Sequence, residues 1–87
     1  MNKPLIVRYA GGSWWLIKKD QTGEYIAPLK VNESAATIVK LLQDKTDAAA
    51  AAEILAEGDS QLVPMILSDI EELCSSLQHH FKVDIRP

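Results

Sequence analysis

Up to Val31 the apolar positions fall in short runs with the two-residue period of a strand; beyond it they recur every three or four residues, the period of a helix. Leu5-Ile6-Val7-Arg8-Tyr9 and Trp14-Trp15-Leu16-Ile17 are rich in strand-preferring residues and flank Gly11-Gly12. That glycine pair enters the positive-φ turn of a tight hairpin without a Cβ penalty, with Ala10 and Ser13 able to lengthen the loop. Residues 18–23 are polar and turn-like. Residues 24–31 then read as a third strand, with Tyr25, Ala27 and Leu29 on one face and Glu24, Ile26 and Pro28 on the other. The three form an antiparallel meander.

Three helices follow. Asn32 is a good N-cap, and Ala35, Ile38, Val39 and Leu42 make the apolar face of a helix over residues 33–43. Thr46 or Asp47 caps a second helix over 48–57, where five alanines raise helix propensity, Ile54 and Leu55 form the buried edge and Gly58 sits beyond the C-terminus. Ser60 opens the third, with Pro64 tolerated in its first turn. Ile66, Ile70, Leu73, Leu77 and Phe81 form its inner stripe, and it ends near His80, leaving residues 82–87 as a short extension. The predicted fold is α+β and winged-helix-like, a three-stranded β-meander followed by three α-helices in one domain spanning 1–87.

Size and charge narrow the function. Eighty-seven residues with 47% hydrophobic side chains support one modest core, with a radius of gyration of about 12 Å. The net charge of -3 has the wrong sign for nonspecific attraction to a polyphosphate. A single cysteine, Cys74, allows no internal disulfide and fits a reducing cytosol. The amino-terminal run Leu5-Ile6-Val7 is too short for a signal peptide, and no apolar stretch approaches a membrane span. The expectation is a cytoplasmic protein with no nucleic-acid or membrane partner, a monomer or weak homodimer.

Catalytic and metal chemistry find little support. Cys74 lies about 140° around the helix from His79 and about 120° from His80, so a nucleophile and base would not share a face. His79-His80 lacks the i, i+4 spacing of a metal pair and has no second cysteine nearby; imidazoles favoured at a helix C-terminus are the simpler reading. No phosphate loop, zinc motif or nucleophile elbow occurs. The expectation is a protein that is not an enzyme, with no catalytic residue, metal or cofactor. A winged-helix DNA reader is disfavoured because residues 61–80 hold no Lys or Arg while Asp69, Glu71 and Glu72 are acidic. Trp14-Trp15 beside Lys18 and Lys19 suggests a base-stacking platform, but neighbours on a strand point to opposite faces, which favours one core Trp and one half-exposed.

The third strand is the remaining feature. Pro28 has no N–H to donate and marks an edge. If its missing donor faces the open side, Glu24 and Ile26 face outward as well and can bond an added peptide strand. Ile26→Pro should then weaken peptide binding, while Ile85→Ala in the tail should not. The alternative is an edge that the proline merely protects, or one through which two copies pair.

Val31-Asn32-Glu33-Ser34-Ala35-Ala36-Thr37-Ile38 resembles the "hydrophobic-Asn-x-Ser/Thr-Ala-x-x-Ile" signature of PqqD-like proteins, the pyrroloquinoline quinone biosynthesis protein D family of RiPP precursor-peptide recognition elements. Leu41-Leu42-Gln43-Asp44-Lys45-Thr46 and Ser68-Asp69-Ile70-Glu71-Glu72-Leu73 with Leu77 extend the resemblance over nearly the whole chain. Lys45 stands where the family has Gly, and His79-His80-Phe81 where a Gly ends helix three. The resemblance implies a noncatalytic chaperone that takes up the leader of a ribosomally made precursor peptide as an added β-strand. It would present that leader to a modifying enzyme, either a radical SAM maturase or the leader protease and cyclase of lasso peptide systems. Carried onto this chain, Glu24, Tyr25, Ile26, Ala27, Pro28 and Leu29 would supply the edge. Leu62, Met65, Ile66, Asp69 and Leu73 on helix three would supply the facing wall, and Asp69 could pair with a basic leader residue.

Overall fold

Gly11 and Gly12 both take positive φ, 61° and 79°, and close a two-residue hairpin turn between β1 (Ile6–Ala10) and β2 (Ser13–Ile17). These elements belong to a computed structural model that describes residues 4–86; Met1, Asn2, Lys3 and Pro87 lie outside the described residues. β3 (Leu29–Val31), α1 (Glu33–Gln43), α2 (Ala48–Ala56) and α3 (Val63–Phe81) complete an α+β chain whose antiparallel sheet has the order β1-β2-β3. Val7 pairs with Leu16, which pairs in turn with Leu29, so the three share the face turned to the helices. The chain measures 43 × 28 × 23 Å with a radius of gyration of 13.1 Å. That is more elongated than composition suggests, because the 19 residues of α3 alone run about 28 Å.

The predicted third strand is shortened. Residues 24–28 carry only an isolated bridge, Lys19 to Tyr25, and the continuous ladder begins at Leu29. Between the pairs Lys19/Tyr25 and Leu16/Leu29, the end of β2 and the residue after it contribute Ile17 and Lys18, whereas the third segment contributes Ile26, Ala27 and Pro28. One extra residue interrupts the pairing, as in a β-bulge, and proline is confined in sheets to such places or to edges.

Helix boundaries follow local chemistry. Asn32 Oδ1 accepts from the Ala35 N–H at 2.8 Å, and Asp47, not Thr46, caps α2 through Ala50 at 2.7 Å. α3 starts at Val63 instead of Ser60. Asp59 takes over the turn ahead of it, its carboxylate accepting from Gln61 and its carbonyl from Leu62. Lys45 adopts φ 73°, the left-handed conformation that a glycine would take without steric cost.

The core joins Leu5 and Leu16 to Ile38, Val39 and Leu42 of α1, Ala51 and Ala52 of α2, and Ile70, Cys74, Leu77 and Phe81 of α3. α2 buries Ala51, Ala52 and Ala56 and leaves Ile54 55% exposed, so of the expected buried edge only Leu55 packs, half-buried, against the core. Small side chains let α2 approach α3 closely, so the alanine face turns inward. Ile85 is 5% exposed and belongs to the core, so the tail is a structural element. Trp14 and Trp15 are both half-buried; Trp14 meets the Tyr9 ring at a 59° tilt and sits under the Lys40 ammonium at 4.5 Å, while Leu16 fills the core position of β2.

β1 is the other edge of the sheet, and a side chain closes the residue just ahead of it. Gln43 accepts from the Leu5 N–H at 2.8 Å and donates to the Leu5 carbonyl at 3.0 Å, standing in for the neighbouring strand. Gln43→Leu leaves two partly buried backbone groups unpaired. It should lower stability by about 1–3 kcal/mol in chemical denaturation, and an unchanged midpoint would show that water replaces the carboxamide.

Candidate peptide-binding edge and groove

The segment ahead of β3 owes its position to a turn. Asp20 accepts from the Thr22 hydroxyl at 2.6 Å and from the backbone N–H groups of Thr22 and Glu24, while the Asp20 N–H donates to the Glu24 carbonyl at 2.7 Å. The Thr22 hydroxyl, followed by the backbone donors, holds the Asp20 carboxyl below the ordinary carboxylate range. The order it lends this loop is therefore present above that range and lost as pH falls through the lowered value.

Backbone direction along the segment is opposite to the expectation. Ile26 donates its N–H to the Lys18 carbonyl at 2.9 Å, and Glu24 accepts from Asp20, so both face inward, toward the β1–β2 hairpin. A bridge flanked by such bonds is a non-hydrogen-bonded pair, which turns the main-chain groups of Tyr25 outward, and alternation does the same for Ala27. The one-residue insertion is the reason. It breaks the alternation on which Pro28, Ile26 and Glu24 would share a side.

Ala27 meets α3. His80 Nε2 lies 2.8 Å from the Ala27 carbonyl oxygen, which places Ala27 beside the C-terminal end of that helix. Farther along, the β3–α1 junction and the middle of α3 enclose an open groove of about 420 Å³. Asn32, Ala35 and Ile38 line one side and Asp69, Glu72 and Leu73 the other. The edge therefore runs along the C-terminal half of α3. Met65 is 15 residues from His80, about 22 Å along the axis.

Of the residues expected on the wall, Asp69 and Leu73 line this groove. Ile66 is half-buried against the core. Leu62 and Met65, 37% and 57% exposed, stand at the amino-terminal end of α3 beyond the reach of the edge. On the edge itself, Tyr25 is 62% exposed with the Lys19 ammonium 5.2 Å from its ring centroid, Ile26 and Leu29 are half-buried against the core, and Glu24, Ala27 and Pro28 are exposed. His80 belongs beside Ala27, and only its fold-imposed proximity reveals this, since 53 residues separate the two.

The Cys74, His79 and His80 cluster forms no nucleophile. Cys74 is 5% exposed, and burial pushes its thiol above the usual cysteine range, which disfavours the reactive thiolate. Among the described residues no group of His, Cys, Asp and Glu could hold a metal ion, and no helix is long and apolar enough to cross a membrane.

No family model, curated protein or solved structure matches the chain.

Proposed function

We propose that this protein is a noncatalytic, cytoplasmic peptide carrier of the PqqD-like, winged-helix-related kind, binding the leader of a ribosomally made precursor by strand addition and presenting it to a modifying enzyme. The observation that carries the reading is the outward-facing backbone at Tyr25 and Ala27, beyond which an open groove lies between the start of α1 and the middle of α3. Strand addition draws affinity from main-chain bonds and specificity from pockets that take alternate side chains. Ala35, Ile38 and Leu73 offer apolar contact, and the carboxylates of Asp69 and Glu72 at the same groove favour a cationic or amide-bearing leader side chain. The motif around Asn32 adds to the reading, since the residue that caps α1 also lines the groove.

The test is an amide-shift titration of labelled protein with synthetic peptides copied from the amino-terminal halves of short open reading frames beside the gene. Shifts should cluster at Tyr25, Ala27 and Leu29 and at Asp69 and Leu73, while Leu62 and Met65 stay fixed. Silence with every peptide at large excess, or shifts confined to α2, would sink the carrier reading.

A further inference from the structure

The acceptor that an added strand needs at Ala27 is already taken. His80 Nε2 lies 2.8 Å from that carbonyl oxygen, and because a carbonyl only accepts, Nε2 carries the proton and donates. The imidazole is braced from below. It meets the Phe81 ring edge-on, with centroids 4.5 Å apart and planes at 90°, and Phe81 is 1% exposed. A ring N–H thus stands, on a rigid base, where the backbone N–H of an incoming peptide would be placed.

From this geometry we infer that His80 is a latch on the peptide edge: it holds the Ala27 carbonyl in the free protein, and a leader strand must displace it to bond there. The inference rests on the carrier reading for its ligand. Both outer edges of the sheet are then closed by a side chain from a helix, but in different ways. Gln43 uses two bonds at a partly buried site to plug Leu5, whereas His80 uses one exposed bond, which a competing N–H can replace. Closing the edge in the absence of peptide protects an otherwise open strand template from pairing with other chains. It also lowers the apparent affinity for leader by the fraction of molecules whose latch is open.

Two variants separate the donor from the ring. His80→Phe keeps a ring against Phe81 and removes the donor; His80→Ala removes both. In peptide-free protein carrying a ¹³C label at the Ala27 carbonyl, that resonance should move upfield in both variants while the remaining spectrum keeps its dispersion. A carbonyl that does not move overturns the latch without reference to any ligand. Titrated with the synthetic leader peptides, both variants should bind roughly three- to tenfold more tightly than wild type, the weight of one net hydrogen bond. Equal or weaker binding by both, where wild type binds, overturns the latch and leaves the carrier reading standing. A displaced carbonyl resonance with no peptide bound by any of the three proteins overturns the carrier reading and the gating role with it.

Discussion

Phe81→Ala is expected to remove about 3–5 kcal/mol of stability, a large part of the roughly 5–15 kcal/mol that holds a domain of this kind together. Phe81 closes α3, is 1% exposed and heads the fully buried side chains by volume, so truncation leaves a cavity where the helix end, Leu77 and the tail converge. Urea unfolding followed by tryptophan fluorescence should show the midpoint falling with little change in slope. Ile85→Ala should lower it as well, by about 2–5 kcal/mol for a buried isoleucine, although it lies beyond the last helix. A Phe81→Ala protein within about 0.5 kcal/mol of wild type would behave as a surface substitution and place the end of α3 outside the core.

Prolines at two adjacent positions should have opposite consequences. At Ile26 the lost N–H is the one bonded to the Lys18 carbonyl, so Ile26→Pro should weaken the attachment of residues 24–28 to β2 by about 1–3 kcal/mol. Faster amide exchange at Asp20, in the neighbouring bond to Glu24, would report it. At Tyr25 the N–H faces outward. Tyr25→Pro should therefore retain the Ile26–Lys18 bond yet cost an added leader strand one main-chain bond, a loss of roughly three- to tenfold in affinity. Unchanged leader affinity in a folded Tyr25→Pro protein would move peptide addition to another part of the sheet. Normal exchange in Ile26→Pro would show that the Lys18 bond contributes little to the segment.

Much of the fold is legible because its signals are local. The strand and helix periods, the Gly11-Gly12 turn, the Asn32 and Asp47 caps and the Pro64 start of α3 each rest on chemistry within four residues along the chain, and each has its counterpart in the structure. Misreadings occur where two distant segments decide. Ile54 has every property of a core residue, yet the close approach of α2 to α3 selects the alanine face. Ile85 sits in a polar tail whose path back to the core leaves no periodic trace.

The candidate site divides in the same way. Pro28 announces from composition alone that regular pairing fails near it, and it does. Which residues then turn outward depends on the count of residues on the opposing strand. Three against two moves the outward groups from Glu24 and Ile26 to Tyr25 and Ala27. Likewise Asp69 and Leu73 are separated from Met65 only by how far the edge extends along α3, and His80 reaches Ala27 only because the fold folds α3 back on the sheet. Local backbone preference and side-chain period are properties of the chain itself and survive into the folded state. Register, the choice of buried helix face and contact across 53 residues have no energy until the elements pack, so tertiary structure alone decides them.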